Sequence, residues 1–145
     1  MSRTRQISDS LVIAAAPDRI FDILADPRRH PDIDGSGSVQ GVITGPDRLS
    51  KGARFGMRMR KGAPYRVTNV VLEFDPGRRI AWRHFGRHVW RYELEPVDGG
   101  TRVTETFDWS PAPLRVLLDR SPIPRSNGRA ITATLRRLKE LVEKG

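Results

Sequence analysis

Apolar and polar residues alternate along most of this chain, which is the pattern of half-buried strands. The first alternating run covers residues 6–14. A helical spacing follows it, because Pro17 suits the first turn of a helix and Asp26-Pro27 ends that helix. Residues 28–38 are rich in Pro, Asp and Gly, so they predict a turn or a second short helix.

Six further alternating runs fill the middle of the chain. Short segments containing Gly, Pro or Asp separate them, and connections this short make neighbouring strands pair antiparallel. The sequence therefore predicts a sheet of six or seven strands. The predicted strands are residues 39–44, 53–60, 65–74, 79–85, 88–95 and 101–109.

The last element has the spacing of a long helix. Ser126 or Asn127 is predicted to cap it, and it runs to about Lys144. Before it, residues 114–118 predict one or two helical turns that prolines interrupt. One face of the long helix carries an apolar stripe, formed by Ile131, Leu135, Leu138 and Val142.

A helix with one apolar stripe must pack on another layer, and only the sheet is large enough to be that layer. The fold class expected is α+β, in the form called a helix-grip fold: a curved antiparallel sheet wrapped around the long C-terminal helix, with one or two short helices after the first strand. No repeat or linker divides the chain, so residues 1–145 are expected to form a single domain.

Composition narrows the class of protein further. The chain has 145 residues, no cysteine and a formal net charge of +9. Without cysteine there are no disulfides and no thiolate metal sites, and this composition fits a protein of a reducing compartment. The longest uninterrupted apolar stretch is Leu11–Ala16, far too short for a signal peptide core or a membrane span. A cytoplasmic protein is expected.

Strand parity gives the sheet one aromatic face and one charged face. The charged face would carry Arg54, Arg58, Arg60, Arg83, Arg91 and Arg102, interleaved with acidic residues. The aromatic face would lie under the helix, either as plain core or as the wall of an apolar cavity. The predicted cavity lining is Phe55, Met57, Trp82, Trp90, Tyr92, Phe107 and Trp109, with Leu135 from the helix.

Three polar residues share the parity of the aromatic face. Glu105 points inward, where a carboxylate is costly unless it is paired, hydrated or functional. His84 and His88 lie at the two ends of a tight hairpin and are expected to meet at the cavity mouth. A bulge that turns Glu105 outward, or a salt bridge with an arginine, is the alternative for this residue.

The order and spacing of several short motifs resemble those of the START-like, helix-grip (SRPBCC) superfamily, to which the birch-pollen allergen belongs. Within that superfamily they are most similar to the polyketide cyclase/dehydrase branch. Each motif is weak by itself, but together they span nearly the whole chain. The motifs are APDRIF at residues 16–21, LADPRRHP at 24–31, RRIAWR at 78–83, WRYELEP at 90–96 and GTRVTETF at 100–107.

The resemblance implies a cavity between sheet and helix that binds lipids, polyketides or aromatic compounds. It also implies that His30 and Asp32 lie near the cavity rim. The leading hypothesis is binding, transport or sequestration of a small hydrophobic ligand. The alternative is a cyclase or dehydratase acting on a polyketide-like or lipid-like substrate, with Glu105 and His84 or His88 as the acid–base pair.

A third hypothesis is binding of nucleic acid or another anionic surface by the arginine face. Its alternative is a solvated face of paired charges, and because no nucleic-acid motif is present, nucleic acid is the less favoured partner. No cofactor is expected, and the three histidines lack metal-ligand spacing, so no metal site is expected either. The chain is expected to be a monomer or a homodimer.

Overall fold

A computed structural model describes residues 4–83 and 86–144, and within them the chain folds as seven strands and four α-helices. The helices are α1 (Pro17–Leu24), α2 (His30–Ile33), α3 (Arg115–Asp119) and α4 (Ile123–Lys144), with a short 3-10 turn at Pro27–Arg29. The strands are β1 (Gln6–Ile13), β2 (Val39–Thr44), β3 (Arg54–Lys61), β4 (Ala63–Asp75), β5 (Arg79–Arg83), β6 (Val89–Val97) and β7 (Gly100–Asp108).

The seven strands form one antiparallel sheet in the order β1-β7-β6-β5-β4-β3-β2. Strands β2 to β7 follow the chain by hairpins, and β1 pairs with β7, so the first strand lies beside the last. The α+β helix-grip architecture predicted from the sequence is confirmed. Five of the seven strands begin or end a residue or two away from the predicted limits, and the predicted end of the fifth strand lies outside the described residues.

Helix α4 packs its apolar stripe against the inner face of the sheet. Ile131, Leu135, Leu138 and Val142 are all buried there, as the stripe predicted. At 1.5 Å per residue its 22 residues span about 33 Å. No helix in the described part of the chain is both long and apolar enough to cross a membrane.

The start of α4 differs from the prediction. The helix begins at Ile123, so Ser126 and Asn127 lie inside it and neither is its cap. Instead, the Ser121 hydroxyl accepts a hydrogen bond from the Ile123 amide at 3.2 Å. Pro124 does not interrupt the helix, because a proline in the first turn removes an N–H that has no partner within the helix.

A register shift in β4 sets which side chains face α4. The pairing of β4 with β5 slips between Val71 and Glu73, so the extra residue Leu72 reverses the side-chain alternation. Beyond it, Phe74 faces inward and packs edge-on against Phe21 of α1, with ring centroids 5.3 Å apart. Glu73 faces outward.

Candidate ligand site between the sheet and the long helix

Two aromatic clusters cover the inner face of the sheet. In the first, Trp82 lies between Phe55 and Tyr92, with ring centroids 5.6 and 5.7 Å away. In the second, Phe107 lies between Trp90 and Trp109, at 4.8 and 5.6 Å. Met57 is buried beside the first cluster, on the same side of β3 as Phe55. The predicted lining residues, Leu135 included, therefore share the space between sheet and helix.

His30 lies deeper than the rim position expected for it. The residue is 7% exposed, and its ring stacks on Trp82 at 4.9 Å and meets Phe55 edge-on at 5.5 Å. The Nε2–H donates to the Leu24 carbonyl at 2.8 Å. Burial lowers the pKa of His30, so the ring is neutral and acts as part of the core. Asp32, by contrast, is exposed and forms an ion pair with Arg29 at 3.0 Å.

Trp109 differs from the other two tryptophans because its polar edge already has a partner. Its Nε1–H donates to Asp119 at 2.8 Å. Arg5 grips the same carboxylate with two nitrogens, at 3.0 to 3.2 Å. This arrangement ties the start of β1 and the end of α3 to the inner face, which is a structural role.

Glu105 is buried on the inner face, as its parity predicted, with 4% of its surface exposed. The β6–β7 register places Tyr92 directly opposite it, without a bulge. Among the described residues Glu105 forms no salt bridge, so the alternative of an arginine partner is not met. Its Oε1 atom is inaccessible to solvent and has no hydrogen-bond partner among the described residues. Native proteins rarely leave a buried polar atom in that condition.

Burial raises the pKa of Glu105 to about 8. The Tyr92 hydroxyl, which donates to the carboxyl group, opposes this rise, and the negative charge of Asp34 adds to it. Burial, and then the nearby Glu105, also raise the pKa of Tyr92 well above 10. At neutral pH the pair is therefore mostly uncharged: a carboxylic acid beside a phenol.

Asp34 was not singled out from the sequence. It follows α2, and its carboxylate accepts hydrogen bonds from the Ser36 hydroxyl at 2.8 Å and the Val39 amide at 2.9 Å. Its charge raises the pKa of both Tyr92 and Glu105, so it lies within electrostatic reach of that pair. A turn-forming role explains an aspartate here, and this is why its inward electrostatic effect had no signal in the sequence.

The residues after α2 close one end of the interior by docking on α4. The Gly35 amide donates to the Thr134 hydroxyl at 2.8 Å, and Arg137 donates to the Asp34 carbonyl at 2.7 Å. The approach is so close that a Cβ on Gly35 would lie 2.5 Å from the Cβ of Ala133. Only glycine fits this contact.

Of the two histidines expected to act with Glu105, only His88 lies within the described residues. His84 lies outside the described residues. His88 is half-buried and packs edge-on against Phe107 at 5.0 Å. Val89, next to it, pairs with Asp108, which is three residues from Glu105, or about 10 Å along a strand. The group that the sheet places opposite Glu105 is Tyr92.

The charged outer face divides into two parts. Near β5 and β6 the arginines are paired: Arg91 grips Glu73 with bonds of 2.9 and 2.7 Å, and Arg79 meets Glu93 at 2.9 Å. A groove of about 630 Å³ lies over these pairs. On β3 and β4 the exposed arginines form no ion pair with any described residue; they are Arg54, Arg58, Arg60 and Arg66.

Comparison with known proteins identifies the family. The family described as polyketide cyclase / dehydrase and lipid transport matches residues 4–143. Uncharacterized protein Rv0088 of Mycobacterium tuberculosis is 38% identical over 146 residues, covering 97% of this chain and 65% of the relative. The chain thus spans about two thirds of the length of the curated relatives it matches.

Solved structures share the fold. The Polyketide_cyc-like protein Cgl2372 of Corynebacterium glutamicum superposes with a TM-score of 0.62 at 22% identity, covering 99% of this chain and 94% of that one. The AHSA1-like protein of Aeromonas hydrophila gives 0.70 at 20% identity, covering 96% and 92%. The resemblance to the SRPBCC superfamily, drawn from the sequence motifs, is confirmed.

Proposed function

The chain belongs to the polyketide cyclase/dehydrase and lipid transport family, and on that premise we propose that it binds a small, partly aromatic hydrophobic ligand between the sheet and α4. The proposed role of this binding is transport or sequestration of the ligand. Family membership supports binding of a hydrophobic ligand in general. The single observation that carries the finer proposal is the buried Oε1 atom of Glu105, which no described residue reaches with a hydrogen bond.

An unpartnered buried polar atom costs about 1–3 kcal/mol, and a ligand atom that pairs with it removes this cost. Because the pKa of Glu105 is raised to about 8, the group offered at neutral pH is a carboxylic acid. The Tyr92 hydroxyl already donates to Glu105, so the acid proton is available to an incoming acceptor. A neutral ligand oxygen, such as a ketone carbonyl, is the matching group.

The body of the ligand would lie on the aromatic clusters. Trp82 and Trp90 pair across β5 and β6, and Phe107 lies opposite Trp90 on β7. Flat rings of this kind favour an aromatic ligand by stacking and area burial. Since Glu105 Oε1 is closed to solvent, a ligand can reach it only after some of the surrounding side chains move.

Binding of matched naphthalene probes tests this proposal, with quenching of tryptophan fluorescence as the readout. The ketone 2-acetylnaphthalene and the hydrocarbon 2-ethylnaphthalene have nearly the same shape and differ in the carbonyl. We expect both to bind at pH 7, the ketone roughly tenfold tighter because of one hydrogen bond to a buried acid. Above pH 8 the preference for the ketone should disappear as Glu105 ionises.

Variants at one position separate the cavity from its anchor. Glu105→Met should bind both probes equally, and Glu105→Gln should keep the ketone preference at every pH, since an amide still donates. Glu73→Gln on the outer face is the matched control and should behave as the parent protein. Absence of binding of either probe, together with absence of any small molecule in native mass spectra of the purified protein, would contradict the proposal.

An enzyme of the cyclase or dehydratase type is the second candidate, and the raised pKa of Glu105 favours it, since a neutral buried acid suits general acid catalysis. Such an enzyme also needs a base. Asp34 is the nearby carboxylate, but both of its oxygens already accept hydrogen bonds. Release of water from a β-hydroxy ketone of the naphthalene series, lost in Glu105→Gln, would support this candidate over simple binding.

A further inference from the structure

Helix α3 and the turn before it expose an unusual amount of apolar surface. Leu114, Val116 and Leu117 are 64%, 59% and 65% exposed. Together with Pro113 they line an open groove of about 420 Å³ that Arg120 borders. We call these four apolar residues the α3 patch. Contiguous exposed apolar surface on a folded domain marks an interaction site more often than scattered single residues do.

The α3 patch rests on a rigid support. Asp119, the last residue of α3, holds Arg5 and the Trp109 indole on the inner side, and its carboxylate is only 5% exposed. Leu118 turns toward the core and packs against it. The hydrogen bonds of Asp119 therefore fix α3 on the inner side, while the apolar side chains of the α3 patch face solvent.

The charge around the α3 patch has one sign. Arg115, Arg120 and Arg125 are exposed, and none forms an ion pair with a described residue. Between residues 110 and 130 the only acidic residue is Asp119, which is turned inward. Exposed apolar side chains beside unpaired cations are the combination that lies on an anionic lipid surface, since the apolar groups enter the headgroup region and the arginines meet the phosphates.

From this juxtaposition we propose that the α3 patch docks the protein on a membrane surface rich in anionic phospholipid. A second copy of the chain is a poorer occupant, because three arginines on each copy would repel. The unpaired arginines of β3 and β4 are also a poorer membrane contact. Among the described large hydrophobic residues of those two strands, only Tyr65 is exposed beside them.

Co-sedimentation with vesicles tests the proposal. The probes are vesicles of phosphatidylcholine alone and of three parts phosphatidylcholine to one part phosphatidylglycerol. The full chain should bind the anionic vesicles more strongly, and high salt should weaken that binding. Replacing Arg115, Arg120 and Arg125 by Gln should reduce affinity on the order of 100-fold, at about fivefold per arginine. Leu114→Ser with Leu117→Ser should reduce it at least tenfold.

The matched control replaces Arg58, Arg60 and Arg66 by Gln, which removes the same charge from β3 and β4, several strands away from the β1 and β7 ends where Asp119 anchors α3. The proposal requires this variant to keep most of the vesicle binding, with all variants showing the parent far-ultraviolet circular dichroism. It is overturned if the control variant loses binding as completely as the α3 variants. It is also overturned if neutral vesicles bind equally well, or if the Leu114/Leu117 variant changes only the self-association measured by light scattering.

Discussion

Glu73 and Glu105 lie on opposite faces of the same sheet and show what a glutamate requires in each place. Glu73 receives two hydrogen bonds from Arg91, which lower its pKa and keep it charged. Glu105 faces Tyr92 and an apolar layer, and burial raises its pKa to about 8. The partners are consecutive residues of β6, so one step along a strand separates a paired ion from a neutral acid.

The two glutamates differ in whether their carboxyl oxygens already have partners. The Glu73 carboxylate lines the larger of the two grooves described, but its hydrogen bonds with Arg91 already satisfy it, so this carboxylate offers little to a ligand. Within residues 4–83 and 86–144, Glu105 keeps one carboxyl oxygen without a hydrogen-bond partner. An unsatisfied polar group inside an apolar enclosure is the stronger indication of a site.

The largest effect is expected from Glu105→Gln. Ionising Glu105 in the folded state is unfavourable, so the stability of the parent protein should fall as pH rises from 4.5 to about 8 and then level off. The variant lacks this loss. The free energy of unfolding of the variant minus that of the parent should therefore be higher at pH 9 than at pH 4, by roughly 3–5 kcal/mol. Urea unfolding at the two pH values measures this, and equal differences at both would exclude a raised pKa.

Breaking the outer pair should give the opposite pH dependence. Arg91→Met removes the two hydrogen bonds that Glu73 receives from Arg91 and leaves it only the longer contact with Arg79, at a cost of about 1–2 kcal/mol at pH 7 because the pair is partly exposed. The pKa of Glu73 is depressed, so its contribution is present above pH 4.5 and is lost as the pH falls through the folded value. Urea unfolding should show the cost shrinking at pH 3. Arg79→Met, in a more exposed pair, should cost less.

A smaller effect is expected from Tyr92→Phe, which removes the hydroxyl that donates to Glu105. The ionised acid loses its hydrogen bond, so the pKa of Glu105 should rise further. The variant should lose about 1 kcal/mol of stability above pH 8 and much less at pH 6. Unfolding at both pH values provides the measurement. A loss of the same size at both would indicate lost packing instead.

The smallest effect is expected from Asp34→Asn. Removing this charge should lower the pKa of Glu105 slightly, since Asp34 is the least of the three causes acting on it. Asp32→Asn is the control, because Asp32 is exposed and paired with Arg29. A carboxyl-carbon NMR titration resolves shifts of this size. An equal shift in both variants would show a general charge effect.

Much of this arrangement could be predicted from the sequence because strand parity is a local property. Alternation alone placed Trp82, Tyr92 and Glu105 inside and Arg91 outside. The inward position of His30 had no such signal, since it depends on how a turn of proline and aspartate folds back onto Trp82. The start of α4 was misplaced because Pro124 reads as a helix breaker unless it is known to lie in the first turn.

The closure of the site could not be predicted for a similar reason. Gly35 appears in the sequence as one of several glycines in a loop, and its contact with Ala133 joins segments almost one hundred residues apart. Tertiary contacts of that kind leave no periodic trace. Strand alternation predicts the inward position of Glu105, but it carries no information about Asp34 and Gly35, which lie in the turn after α2.

The central claim is that Glu105 is a neutral acid in an apolar interior, and a carboxyl-carbon NMR titration of the ligand-free protein tests it most directly. The same spectra report Glu73 as the internal reference. The expected result is a midpoint near 8 for Glu105 and a midpoint below 4.5 for Glu73. Midpoints near 4.5 for both residues would contradict the claim, because they would mean that Glu105 is hydrated or paired like any surface carboxylate.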